Sequence, residues 1–220
     1  MRFTEADTGR FYDSEDTHYR SFWDREGSLH WGYFDDLGAG DFVGACRRWT
    51  EMMIARAKIH PGARVLDVGC GNGTTAMAIG RETGAAVTGI DLSAVRVTHA
   101  VEAVRRDVGS PCHFLRASAT ALPFADAAFS HVWSQAVLYH VHDRSAALSE
   151  IHRVLRGGGI FVFDDLVTPT RSISVLARTY VYDRLLFEPG PSAADYARRQ
   201  HGIGHPRTAV RRRNLLRRDA

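Results

Sequence analysis

The chain has 220 residues, of which 45% are hydrophobic and 24% charged, and its net charge is +3. That supplies one sizeable core for a soluble domain, and no apolar run reaches the about 18 residues that a membrane-spanning helix needs. Three cysteines, Cys46, Cys70 and Cys112, lie too far apart for a disulfide framework or a zinc-ligand set, and no metal site is expected.

The chain opens on MRFTEADTGRFYDSED, polar and acidic, without the apolar segment of a secretory signal; the expected compartment is the cytoplasm. Residues 3–25 read as a short helix or cap, followed by the aromatic, turn-rich SLHWGYFDD. Asp41 can cap a helix running to about Ile59, with Phe42, Val43, Ala45, Trp49, Met52, Met53 and Ala57 roughly on one face. ARVLDVG predicts a first strand, Thr74 to Arg81 a helix, and GAAVTGID a second strand. Ser93 caps a helix to about Val108, and PCHFLRA is a third strand. A turn and fourth strand lie in LPFADAAFSHVWSQA, an amphipathic helix in HDRSAALSEIHRVL, and a fifth strand in GGGIFVFDDLV. This alternation predicts an α/β fold: a Rossmann-like, doubly wound, mostly parallel sheet with helices on both faces. Three parts follow: a helical cap and substrate lid over 1–60, a cofactor-binding core over 61–190, and an arginine-rich tail over 191–220.

The stretch VLDVGCGNGTT ends a strand in an acid, breaks into a glycine loop and becomes helical. Ligands of such a sheet sit at the carboxyl ends of the strands. The second strand ends in Asp91, where a carboxylate can accept from both hydroxyls of a ribose. The bound molecule should therefore contain a nucleoside. The spacing G-C-G-N-G is not the G-x-G-x-x-G of a dinucleotide site, and Asp67 directly before the loop would repel a pyrophosphate. The same carboxylate would attract an ammonium or a sulfonium. S-adenosyl-L-methionine carries both cations and no phosphate, and is the expected cofactor rather than NAD.

VLDVGCGNG, VTGIDLS, ALPFADAAFSHVWS, LYHVHDRSAALSEIHRVLRGGG and IFVFDD together resemble the class I S-adenosylmethionine-dependent methyltransferases. The resemblance covers about Ala63 to Val167. It is to the small-molecule branch that includes ubiquinone/menaquinone, sterol, tocopherol and glycine/sarcosine methyltransferases. FYDSEDTHYRSFW and LHWGYF also look like the N-terminal cap of the last two groups. The resemblance implies that Asp67, Gly69, Gly71, Asn72 and Gly73 shape the methionine side of the pocket, with Asp67 near the ammonium. It places Asp91 at the ribose, Leu92 against adenine, and Ser134 and Gln135 at the methionine portion. The family commonly has an acid for the adenine amino group before A-x-x-LPF; Ser118, followed by Ala119, stands there instead. Gly157 likewise stands where the family usually has proline.

Methyl transfer from a sulfonium is an in-line displacement, so alignment and exclusion of water are the main tasks, and a hydroxyl or carbon acceptor also needs a base. His140 is the candidate base because imidazole titrates near neutrality. Tyr139, and His30, Trp31 and Tyr33 in the cap, are candidates to face the substrate. Asp164 and Asp165 alone are too few to ligate a metal. The expected activity is transfer of a methyl group to N, O or C of a small-molecule metabolite. A truncated or non-catalytic homologue and an NAD-dependent oxidoreductase are the alternatives. Nothing in the body of the chain points to nucleic acid or membrane.

The segment from Arg171 holds eleven arginines and four acids, leaving the first 170 residues mildly acidic. Ser172 to Phe187 can form a helix, with Leu176, Tyr180, Leu185 and Leu186 available to pack. RRQHGIGHPRTAVRRRNLLRRDA has no alternating pattern, so the final strands usual for the family are expected to be missing. A solvated tail, an anion-binding or RNA-binding arm, and a truncated end are the open readings. The fifth strand would then be an apolar edge prone to self-association into a homo-oligomer.

Overall fold

The structure, a computed structural model, describes residues 3–34, 41–168, 173–186, 188–192 and 195. Helix α1 spans Glu5–Phe22 and α2 spans Phe42–Ala57. Strand β1 (Arg64–Val68), α3 (Thr74–Thr83), β2 (Ala86–Asp91), α4 (Ala94–Arg106) and β3 (Cys112–Arg116) follow. Then come β4 (Phe129–Gln135), a 3-10 turn (Leu138–His140), α5 (Arg144–Val154) and β5 (Leu155–Asp164). Caps set several of these starts. Thr4 and Asp7 form a reciprocal capping box on α1, and Asp41, Ser93 and Asp143 accept from the first turns of α2, α4 and α5.

The strands pair in the order β3-β2-β1-β4-β5, every pair parallel. This is the doubly wound, Rossmann-like sheet that the alternating pattern predicts. The period-two pleat divides β1 between two halves of the core. Val65 joins Met53, Ile54 and Ala57 of α2, Ile79 of α3 and Trp133 of β4 on one face. Leu66 and Val68 join Val132, Phe161 and Ala147, Ile151 and Val154 of α5 on the other. The chain leaves β1 toward β2 and β3, then returns to place β4 on the opposite side. Strand order reverses between β1 and β4, which opens a crevice at their carboxyl ends.

Beyond β5 the expected helix is short: α6 (Val175–Ala177) continues into a π-helical turn, Arg178–Asp183. Tyr182 and Leu185 pack on Ala136 and Tyr139. Leu176 and Tyr180 do not pack; they are 70% and 72% exposed, because only the end of this segment meets the sheet. Strand β5 is an edge of the sheet among the described residues. The expectations for the tail after Arg198 lie outside the described residues.

Candidate active site

The glycine loop is built by backbone bonds to its neighbour. The amides of Gly69 and Cys70 both donate to the carbonyl of Ile90, at 2.8 and 2.9 Å, which ties the end of β1 to β2. Gly69 has φ +76, and a Cβ there would come within 2.3 Å of Val137 Cγ2, so no side chain fits. Gly71, at φ +54, is different. Its nearest neighbour would be Arg96 Nη1 at 3.9 Å, and the space in front of it belongs to the cleft.

Two carboxylates meet this loop. Asp91 is held from both oxygens: Gly71 N–H donates to Oδ2 and Ser93 N–H to Oδ1, each at 2.9 Å. Asp67 is 2% exposed, and its Oδ2 has no hydrogen-bond partner among the described residues. Burial, and then the charge of Asp91, pushes the Asp67 carboxyl up to about 7. A buried acceptor in that state is set for a cation.

Helix α1 covers the cleft with polar residues. Glu5, Thr8 and Tyr12 line it. Glu5 Oε1 accepts from Ser118 Oγ and Thr120 Oγ1, at 2.7 and 2.9 Å. Asp13 Oδ1 accepts from Ser93 Oγ and Val95 N–H at the start of α4. Asp16, 1% exposed, lies 3.2 Å from Arg96 Nε and 3.1 Å from His99 Nδ1, and accepts from Asn72 Nδ2 at 3.0 Å. The Tyr12 hydroxyl and His140 Nε2 are 2.6 Å apart, and the Arg96 guanidinium lies 4.1 Å from the centre of the Tyr12 ring.

The far wall is a second network. Thr50 Oγ1 donates to Gln135 Oε1 and lies 3.3 Å from His30 Nε2, while Thr75 Oγ1 also donates to Gln135 Oε1. Asp164 accepts from Trp49 Nε1–H and Ala136 N–H, and Asp165 accepts from Tyr139 N–H. Both acids hold the backbone that follows β4. Among the described residues no group of three or more His, Cys, Asp or Glu could hold a metal.

The cleft has an empty volume of about 990 Å³ including its open mouth. Asp67, Gly69, Gly71, Asn72, Asp91 and Leu92 line it, as do Ala119, Gln135, His30 and His140. Gly73, Ser118, Ser134, Trp31, Tyr33 and Tyr139 are not on its wall. Gly73 is the N-cap of α3, and Ser134 is fully buried inside β4. Trp31 and Tyr139 form a neighbouring aromatic cluster with Tyr182 and Leu185. Tyr33 donates its backbone N–H to Ala45 and supports α2. Asn72 lines the cleft, but its amide is engaged with Asp16, Gly27 and His99 and fastens the loop to the cap.

His140 has a different character from the near-neutral base that its residue type suggests. Burial, then the cations Arg96 and Arg144, push its imidazole down to about 3. It is therefore neutral at pH 7, and burial raises the Tyr12 phenol beside it. Glu5, Tyr12, Asp13, Asp16 and Arg96 are contributors that the sequence pattern did not mark. A signal exists: Glu5, Thr8, Tyr12 and Asp16 recur at the i, i+3, i+7, i+11 spacing of one helix face. The stripe is polar, so a search for apolar periodicity passes over it.

A family model described as a methyltransferase domain matches residues 66–163. The 27-O-demethylrifamycin SV methyltransferase of Amycolatopsis mediterranei is 34% identical over 74% of this chain and 60% of its own length. The O-methyltransferase rstn1 of Aspergillus nomiae is 34% identical over 81% of this chain and 80% of its own. The chain thus spans about three-fifths of the length of the bacterial relatives it matches. Among solved structures, the [4+2]-cyclase SpnF superposes with a TM-score of 0.81 at 27% identity, over 92% of this chain and 73% of that one.

Proposed function

The chain belongs to the class I S-adenosylmethionine-dependent methyltransferases of the small-molecule branch, and from that membership we propose that it transfers a methyl group from S-adenosyl-L-methionine to a small-molecule metabolite. The observation that carries the reading is the pair of carboxylates in one cleft. Asp67, buried with an unpartnered oxygen, suits an ammonium. Asp91, oriented by two backbone amides, keeps lone pairs for the two ribose hydroxyls. Ile90, Leu92, Ala117 and Ala119 supply apolar walls for a base. When bound, the cofactor supplies an electrophilic methyl group on a sulfonium.

The chain's own residues do the rest. Thr75, Gln135 and His30, linked through Thr50, hold the far wall of the cleft. The cap excludes water, which strengthens every polar contact beneath it. Tyr12 and His140 line the cleft together, and the neutral imidazole pairs through Nε2 with the Tyr12 hydroxyl. We favour oxygen over nitrogen or carbon as acceptor atom because two of the relatives are named as O-methyltransferases or O-demethyl-substrate methyltransferases. The cyclase likeness favours a second reading, in which the cleft serves another reaction on an organic substrate.

Calorimetry with S-adenosylhomocysteine should show 1:1 binding, weakened about 10- to 100-fold in Asp91→Ala by the loss of charge-assisted bonds, and none with NADH. Turnover should then appear in a screen of phenols, quinols, glycosides and amines. Unchanged affinity in Asp91→Ala would sink the ribose assignment. Binding without transfer to any acceptor would favour the second reading.

A further inference from the structure

Two carboxylates of the cleft stand at the ends of adjacent strands, and a third, from α1, reaches the turn after the next strand. Asp67 ends β1, Asp91 ends the adjacent β2, and Glu5 is fastened to the turn that follows β3, the next strand out. Parallel strands lie about 4.8 Å apart, so Glu5 stands on the order of 10 Å from Asp67 along the sheet. A nucleoside with its cationic chain at Asp67 and its ribose at Asp91 brings its base to the third position. Ile90, Leu92, Ala117 and Ala119 form the apolar slot there, and Glu5 lies on its wall.

Glu5 is held for contact rather than left loose. Its Oε1 accepts from the hydroxyls of Ser118 and Thr120, and Ser118 Oγ also accepts from Thr120 N–H at 3.0 Å. Its Oε2 makes no hydrogen bond among the described residues. The capping box of Thr4 and Asp7 fixes the backbone around it. The hydroxyl of Ser118, at the position where the resemblance expects an acid, is thus engaged in orienting an acid from another element.

We propose that Glu5 is the specificity-determining residue for the base: Oε2 accepts from the exocyclic amino group of adenine and rejects a 6-oxo purine. The chemistry is one-sided, since a carboxylate accepts and cannot donate. An amine at the base edge meets an acceptor, whereas a carbonyl oxygen in the same place meets a second negative oxygen. The assignment rests on the cofactor reading given above.

The test is calorimetric and needs no acceptor. Affinities for S-adenosylhomocysteine and S-inosylhomocysteine, which differ at that amino group, are compared in the parent, Glu5→Gln and Glu5→Ala. The parent should prefer the adenosyl compound by about 10- to 100-fold. Glu5→Gln keeps the shape and adds a donor, so the preference should shrink at least about tenfold, with a gain for the inosyl compound. Glu5→Ala should lose preference without that gain. If Glu5 only docks the cap, both ligands weaken equally and the preference persists, which overturns the proposal while leaving the cofactor reading intact. A parent that binds both compounds equally also overturns it. A parent that binds neither refutes the cofactor reading itself, and this assignment with it.

Discussion

Helix α5 is docked on the parallel sheet, and α1 on α4 and the loops at the carboxyl ends of the strands, by opposite chemistry. Helix α5 buries Ala147, Ile151 and Val154 against Val132 and Phe161, an apolar stripe on an apolar face. Helix α1 buries Thr8, Gly9 and Asp16, and reaches the rest of the chain through Glu5, Tyr12, Asp13 and Asp16. Apolar burial is worth about 25 cal/mol per Å² and makes α5 part of the folding unit. Exchange of water bonds for protein bonds is worth only about 0.5–1.5 kcal/mol per bond. The cap should therefore open at lower free energy than the core unfolds, as a cover over a ligand site must.

Three measurements break or sharpen this contrast. The largest effect is expected in the core. Ile151→Ala, at a 2% exposed site, should cost about 2–5 kcal/mol in urea unfolding, with every probe shifting together. Asp16→Ala comes next. It strips the buried Arg96 guanidinium of its carboxylate, but the cap can lift and let water reach Arg96, which limits the cost to about 1–3 kcal/mol. Hydrogen exchange should quicken across α1 while β1 and β4 keep their protection. Equal loss of protection in cap and sheet would show one cooperative unit and remove the contrast.

The smallest effect concerns Asp67 and depends on pH. Its carboxyl sits at about 7 in the folded chain and near 3.9 when unfolded. The folded state holds the proton more tightly, so this contribution to stability is complete below about pH 4. It is lost as pH rises through 7. Asp67→Asn removes the charging penalty. The ligand-free variant should be more stable than the parent by about 1–2 kcal/mol at pH 8, with no difference near pH 4. It should also bind S-adenosylhomocysteine more weakly. In the parent, a cation beside Asp67 favours its ionised form, so affinity should rise with pH through about 7. A destabilised variant at pH 8 would contradict the unpartnered burial of this acid.

The legible parts of the molecule share one property: their determinants are local. The caps at Asp41 and Ser93 act within a turn, and each is found where the sequence places it. The run VLDV, buried on both faces in β1, and the glycine loop after it are written in consecutive residues. The order of motifs along the chain carries the doubly wound sheet and the family, and Asp67 and Asp91 stand at strand ends that hydrophobic runs define. The segment after β5 was less legible, since nothing local says which side of a short helix meets the sheet, and Leu176 and Tyr180 face solvent.

What only the tertiary structure decided is how distant residues share one environment. Imidazole chemistry alone makes His140 a near-neutral base, but burial first, and then the cations Arg96 and Arg144, hold it neutral far below its usual range, with Tyr12 brought beside it from 128 positions away. Ser118 alone reads as a lost acid, whereas Glu5, brought 113 positions along the chain, puts a carboxylate beside it. Periodicity and motif spacing report the propensity and polarity of a segment. Burial, charge and hydrogen-bond partners come from whatever the fold sets beside it, and for this cleft that is a polar helix docked by contacts 56 to 128 residues apart in sequence.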